Sequence, residues 1–330
     1  MKRIIGLSQE RRQLLFETTA REMKITNVVI EKDFWVCVVL NYLLNESRYK
    51  NYLIFKGGTS LSKCYDVIKR FSEDVDLILK WDAIGFKDED VFLNRSKNQN
   101  YKFEMLMNEK GSAFIQNKLK EELSNGLAAL INGMRIESDP NDPMILLVYY
   151  PSFYKNDYIE QAVKLEIGPV AAKTPIETSF IEPYCYRCFN VDNKKPFEVN
   201  IVTIARTFWE KLLILYAECN RPMDKKTPDR YSRHYYDIFM IYKSKYFKEI
   251  VKQKSLFEEV KLFKSKYYCT SWSRIENASL TNITLIPSKE RLVTIQADYK
   301  KMGDMFFETP PSFEEIINGL AQLEDDLKTI

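Results

Sequence analysis

The stretch Phe55-Lys56-Gly57-Gly58-Thr59-Ser60-Leu61, followed thirteen residues after Leu61 by Asp74-Val75-Asp76-Leu77-Ile78-Leu79, decides how this 330-residue chain is read. The apolar run from Tyr52 to Phe55 ends at Gly57-Gly58, which reads as a strand entering a glycine turn. Ser60 to Lys69 then reads as a helix with Leu61, Tyr65 and Ile68 on one face, and Val75 to Leu79 as a second strand.

Each part has a task in phosphoryl transfer. Glycines without side chains let backbone N–H groups approach a triphosphate, and a following helix turns its positive end toward the same anion. Asp74 and Asp76 stand at i and i+2 of a strand, so both carboxylates share one face. Hard Mg²⁺ ions take such oxygen ligands, with substrate phosphates and water completing the shell. A lone Asp-x-Asp is ordinarily a solvated pair, and a Gly-Gly turn alone says less. Their order and the apolar Leu77-Ile78-Leu79 beyond them shift the balance. A strand that buries its end while opening on two carboxylates is costly unless a cation binds there.

A third carboxylate is expected on a neighbouring strand. In Ala162-Val163-Lys164-Leu165-Glu166-Ile167 the alternation puts Lys164 and Glu166 on one face, making Glu166 the candidate metal ligand and Lys164 a candidate phosphate contact. The bland alternative is the wet face of an edge strand. Asp139 and Asp142 compete less well, because they lie in a turn.

Outward from this centre, helices are expected over 8–23 and 27–44. Residues 80–108 read as a polar, irregular insertion or lid, followed by a helix to about 131. Strands at 144–150 and 162–167 are joined by the turn PSFYKND, and extended pieces follow at 176–181 and 197–202. From Thr203 the pattern is helical throughout: 203–218, 230–245, 246–267, 289–303 and 312–328. The expectation is an α+β domain over 1–202, with a mixed sheet flanked by helices, and a C-terminal helical bundle over 203–330.

Composition adds bounds. Hydrophobic residues at 45% suffice for a sizeable core, and a net charge of +3 rules out a global basic field, so any nucleic-acid surface must be local. The N-terminal residues lack a signal-peptide core and no run is long enough to span a bilayer, which points to a cytoplasmic chain with its six cysteines reduced. Cys185-x-x-Cys188 stands alone, without the second pair that a structural zinc site takes. With His234 the only histidine, carboxylate–metal chemistry is favoured over a His-based triad.

The segment FKGGTSLSKCYDVIKRFSEDVDLIL resembles the signature of the AbiEii-like nucleotidyltransferases, toxins of type IV toxin–antitoxin (abortive-infection) systems within the polymerase-β-type superfamily. The resemblance extends to Glu31-Lys32-Asp33-Phe34-Trp35, Val163 to Gly168, Thr207 to Leu212 and Arg230 to Ile238. It implies that Asp74 and Asp76 hold metal and are catalytic, that Lys211 contacts nucleotide phosphates, and that Asp237 is a catalytic acid. Ser72 matches a serine that is phosphorylated in some relatives. The implied nucleotide cradle is Lys56, Gly57, Gly58, Thr59, Ser72 and Lys164. The reaction implied is transfer of NMP from an NTP, with two Mg²⁺, to a hydroxyl on RNA, with tRNA among the acceptors. The implied partner is a separately encoded antitoxin that need not touch the toxin. Two other readings stand beside it: a small-molecule nucleotidyltransferase of the antibiotic-modifying kind, and a silent nucleotide-binding module. Tyr235 stands where the family usually has an acidic residue. Read from helical pattern alone, Lys211 and Asp237 lie off the buried stripes, and Arg233 and Asp237 are spaced for a surface ion pair. Lys32, Asp33 and Arg70 are further polar candidates near the nucleotide.

Overall fold

The computed structural model describes residues 1–72, 74–154, 160–189, 194–268 and 270–329. Glu73, the second half of the turn at 151–157 and Cys269 lie outside them. The chain forms two compact units, Met1–Cys64 with Phe71–Val202, and Tyr65–Arg70 with Thr203–Ile330.

The first unit is built on seven strands: β1 (Leu53–Lys56), β2 (Asp74–Leu79), β3 (Arg135–Ser138), β4 (Ile145–Tyr149), β5 (Ala162–Gly168), β6 (Ile176–Ile181) and β7 (Phe197–Val202). Their order is β3-β4-β5-β2-β1-β7-β6. The β1–β7 and β2–β5 pairings are parallel and the others antiparallel, so the sheet is mixed and the class is α+β. β1 and β2 lie near the centre, flanked on both sides, which is why Leu53, Ile54, Phe55, Val75, Leu77, Ile78 and Leu79 are all buried.

Helices α1 (Lys2–Ile5), α2 (Gln9–Met23) and α3 (Asn27–Asn41) precede the sheet. Ser8 caps α2 by accepting the Arg11 N–H, as its position at the head of the helical pattern predicts. α4 (Gly57–Lys63) follows β1 directly. It stops six residues earlier than the sequence reading, and Asp66 then takes a left-handed φ of 53° that no helix continues.

Residues 80–108 are not an irregular lid. They form a 3-10 turn (Trp81–Ile84), α5 (Asp88–Phe92) and the start of α6 (Lys97–Phe114). Ser96 and Gln99 make a reciprocal capping box, and Trp81, Val91 and Met107 are buried beneath the polar surface that misled the reading. α6 runs through a π turn into α7 (Lys120–Leu130). Strand β3 is also absent from the sequence reading, since Arg135-Ile-Glu-Ser138 has a single apolar residue to show.

Among its described residues the second unit contains helices and no strand of the sheet. They are α8 (Ile204–Cys219), α9 (Ser232–Lys243), α10 (Phe247–Ile250), α11 (Lys254–Tyr267), α12 (Lys289–Lys301) and α13 (Phe313–Thr329). The helix expected over 246–267 is broken into α10 and α11. Phe208, Leu212, Ile238, Phe257, Leu320 and Leu323 are among its buried apolar side chains. The six residues Tyr65–Arg70 join this unit: the Phe307 N–H donates to the Lys69 carbonyl, and the Tyr236 hydroxyl accepts from the Lys69 N–H.

Candidate active site

Strand register assembles the first site. Lys56 pairs with Asp76 across β1–β2, Asp76 with Glu166 across β2–β5, and Glu166 with Ile145 across β5–β4. In the next row Asp74 pairs with Lys164, and Lys164 with Leu147. Side chains opposite one another in register lie on the same face, with Cβ atoms about 5 Å apart. One face of the central sheet therefore carries Lys56, Asp74, Asp76, Lys164 and Glu166 together. Apolar clusters bracket the patch: Ile54, Ile78, Ala171 and Val202 on one side, Ile145, Leu147 and Ala162 on the other. Three carboxylates against two lysines leave it one negative charge in excess. Lys164 takes up part of the repulsion, with its Nζ 2.6 Å from Glu166 Oε1. Glu166 and Asp76 also line a surface cleft with Lys56, Asp142, Ile145 and Gly168.

Asp142 is the residue that sequence reasoning discounted. Its Oδ1 accepts the Met144 N–H at 2.9 Å, so it builds the turn into β4 and reaches the cleft as well. The available signal was that β4 must lie beside the strand of Glu166, which brings its entering turn to the same end.

The glycine turn is shaped around Asp76. Gly57 has φ +83°, where any side chain is strained, and a Cβ placed on it would collide with Asp76 Oδ2 and lie 2.6 Å from Asp76 Cγ. The absence of a side chain at Gly57 is thus the space that the Asp76 carboxylate occupies. The positive φ sits at Gly57, while Gly58 is a buried residue of α4. Thr59 turns inward: its hydroxyl lies 2.6 Å from the Asp74 carbonyl and 3.2 Å from that of Ser72, and the residue is 3% exposed. It staples α4 to the start of β2. Ser60 Oγ donates to the Gly57 carbonyl at 2.8 Å and holds the turn from the other side.

The donor set suits a hard divalent cation, since it is all carboxylate with neither histidine nor thiolate. Among the described residues, no three His, Cys, Asp or Glu side chains converge into a cage that would hold an ion alone.

Lys211 and Asp237 belong to a different environment. Helical pattern makes them solvated; in the structure Asp237 is fully buried and Lys211 is 8% exposed. Arg70 grips Asp237 with a two-pronged fork, Nε to Oδ1 and Nη2 to Oδ2, each 2.9 Å. Lys211 Nζ lies 2.9 Å from Asp237 Oδ2 and 3.3 Å from His234 Nδ1. Burial alone would raise the Asp237 carboxyl, but Arg70 and Lys211 outweigh it and hold it well below the usual range. Burial, then Lys211 and Arg233, push His234 well below its ordinary value, with its Nδ1 within hydrogen-bond distance of Lys211. Burial also lowers Lys211, against the pull of Asp237. The sequence hides this cluster, because Arg70 stands 167 residues from its partner.

The other polar candidates are anchors. Lys32 Nζ donates to the Glu160 carbonyl at 3.0 Å. Asp33 accepts from Lys63 Nζ at 2.6 Å and from the Tyr184 N–H at 2.7 Å, tying α3 to α4. Cys185 is buried with its thiol pushed up by burial, and Cys188 lies 3.0 Å from Glu22; both are reduced.

The model of the family described as "Nucleotidyl transferase AbiEii toxin, Type IV TA system" matches residues 39–319. Among solved structures, the chain is similar to MenT4, a nucleotidyltransferase toxin from Mycobacterium tuberculosis H37Rv. The identity is 16%, the TM-score 0.47, and the match covers 96% of this chain and 99% of that one. It is also similar to JHP933 from Helicobacter pylori, with 16% identity, a TM-score of 0.37, and 92% and 98% of the two chains covered. No curated protein matches. No helix among the described residues is long and apolar enough to cross a membrane.

Proposed function

The chain belongs to the AbiEii family of nucleotidyltransferase toxins of type IV toxin–antitoxin systems, and from that premise we propose that it transfers NMP from an NTP to a hydroxyl of RNA. The family implies a nucleotide substrate and an antitoxin partner. The observation that carries the reading is the single row Lys56–Asp76–Glu166, with Gly57 flush against the Asp76 carboxylate.

In this proposal Asp74, Asp76 and Glu166 supply the oxygen ligands for Mg²⁺, and bound Mg²⁺ provides charge neutralisation and activation of the acceptor hydroxyl. The acceptor oxygen forms a bond to the α-phosphorus, the bond from that phosphorus to the bridging oxygen breaks, pyrophosphate leaves, and the hydroxyl proton passes to solvent. Lys56 is placed beside Asp76 to meet the charge of the triphosphate. Gly57 and Thr59 act by position, one leaving room for Asp76 and the other fixing the strand that carries Asp74. Asp237 has both oxygens engaged and no exposure, so the Arg70–Asp237–Lys211 cluster organises the helical unit and the chemistry rests on the sheet.

The test is incubation of purified protein with each α-labelled NTP, Mg²⁺ and total cellular RNA. Label entering RNA, and lost with Asp76→Ala, supports the proposal. Label entering a small amino-alcohol acceptor while RNA stays unlabelled overturns the RNA reading. No transfer to any acceptor overturns the whole of it.

A further inference from the structure

The loop 220–231, between α8 and α9, carries four basic residues (Arg221, Lys225, Lys226, Arg230) against two acidic ones, in a chain whose total net charge is only +3. Surface loops of this composition are ordinarily mobile. This one is fastened from below. Arg291 of α12, 6% exposed, donates to the carbonyls of Arg221, Pro222 and Lys225 and to the Thr227 hydroxyl. Glu218, fully buried, takes the Thr227 hydroxyl and the Arg221 Nε, each at 2.6 Å.

The indole of Trp272 lies against this fixed loop. The Arg221 guanidinium is 4.5 Å from its ring centroid and the Lys225 ammonium 5.9 Å. Of the four tryptophans, Trp35, Trp81 and Trp209 are buried, and Trp272 alone retains exposure. Lys225 and Met223 of the loop are exposed, and the Lys226 side chain is 80% exposed.

We propose that Trp272 and the loop bearing Arg221, Lys225 and Lys226 form a preordered platform for single-stranded nucleic acid, with a base stacking on the indole and phosphates meeting the lysines. An aromatic face set among cations is the chemistry that binds unpaired strands without reading their sequence. Rigidity of the loop lowers the entropy lost on binding. A duplex, whose bases are already stacked, offers no face to the indole. The inference deepens the RNA-acceptor reading, on which it rests for the identity of the strand.

The buried positions of the other three tryptophans make the test direct. The full chain is titrated with an oligoribonucleotide of about 12 nucleotides, a length within the span of known single-strand sites, and tryptophan emission is followed. Quenching is expected with the native chain and lost in Trp272→Phe. Trp272→Ala should weaken binding about tenfold, and Lys225→Glu with Lys226→Glu should weaken it at least as much while flattening the salt dependence. Unchanged melting and unchanged emission from the buried tryptophans show that each variant is folded. The same sequence as DNA separates a demand for the 2′-hydroxyl from stacking and charge alone. Equal quenching in Trp272→Phe, equal affinity after the charge reversals, or equal competition by an acidic peptide overturns the platform. Quenching that persists where no label enters RNA overturns the acceptor reading and leaves the platform standing. Transfer to RNA with affinity indifferent to Trp272 does the reverse.

Discussion

Two groups of charged side chains in this molecule show opposite designs. On the sheet face, Asp74, Asp76 and Glu166 are half-buried, crowd like charges along two rows, and outnumber the two lysines beside them. In the helical unit, Asp237 is sealed with its charge saturated by Arg70 and Lys211. In the proposed function, the first arrangement is relieved by a bound cation. The second is destroyed by any change that leaves a buried charge without its partner. Functional sites tend to look like the first and structural ion clusters like the second, so the two should respond oppositely to the same kind of mutation.

The largest expected effect is on activity. Asp76→Ala should lower NMP transfer by roughly three decades or more, the scale of losing a ligand to a charge-stabilising ion. Melting should be unchanged or raised, because one of the crowded carboxylates is gone. Wild-type transfer by a well-folded Asp76→Ala protein would sink the assignment. Asp237→Ala should instead strike stability, by about 3–5 kcal/mol, because Arg70 and Lys211 then lose the buried carboxylate that both hold. Denaturant unfolding measures it. A loss under about 1 kcal/mol would mean that the cluster opens to water.

How far the sequence showed this contrast depends on the range over which each group is encoded. The sheet site is local. Gly57, Asp74 and Asp76 fall within twenty residues, and Glu166 announces itself by alternation along its own strand. The Arg70–Asp237 fork is not local, and a helical pattern reports only whether neighbours three and four away are apolar. α9 buries Tyr235, Tyr236, Ile238 and Ile241 around Asp237, an arc too wide for a stripe analysis to separate wet from dry. Asp142 is hidden because turns are usually solvated, and the helices of 80–108 because their surface is polar while a few residues, Trp81, Val91 and Met107, do the packing. The sequence presents the glycines as a pair, and only geometry shows that Gly57 carries the requirement.

Gly57→Ala sharpens the sheet side of the comparison. A methyl group there must displace the Asp76 carboxylate and tolerate φ +83°, so stability should fall by about 1–3 kcal/mol and transfer should fall toward that of Asp76→Ala. Full activity in Gly57→Ala would show that the position of Asp76 is not set by the turn.

The helical cluster should also be visible in pH dependence. His234 is held well below its ordinary value in the folded chain, while the unfolded imidazole takes a proton below about 6.5. The unfolded state therefore binds more protons there, and stability falls as pH drops from about 6.5 toward the folded value, by at most about 1.4 kcal/mol per unit. Asp237 contributes no slope in this window. Its folded value is depressed, so its contribution is present above the unfolded value of about 3.9 and is lost only as pH falls below that. Glu31, raised chiefly by burial, works in the other direction, so the informative quantity is the difference between the native chain and His234→Asn. Between pH 7 and pH 5.5 the native chain should lose stability relative to His234→Asn; a flat difference would show that His234 is reached by water.

The smallest expected change in stability lies at Lys164. Its partner Glu166 is 2.6 Å away, but their side chains are 30% and 37% exposed, and pairs so open to solvent contribute little. Lys164→Met should shift stability by no more than about 0.5 kcal/mol, an order of magnitude below Asp237→Ala although both remove one half of a short ion pair. Its effect on function should be larger and of a particular sign. Burial opposes the Lys164 charge, but Glu166 and Asp74 outweigh it and hold the ammonium above its ordinary value, so at neutral pH the lysine subtracts one unit from the negative charge of the face. Without it, three carboxylates face one lysine, and the Mg²⁺ concentration for half-maximal transfer should fall. If Lys164 instead reaches the nucleotide phosphates, the Met variant should raise the KM for NTP and leave the Mg²⁺ dependence unmoved. Titrating the two ligands separately in the one variant tells whether Lys164 balances the carboxylates or binds the substrate.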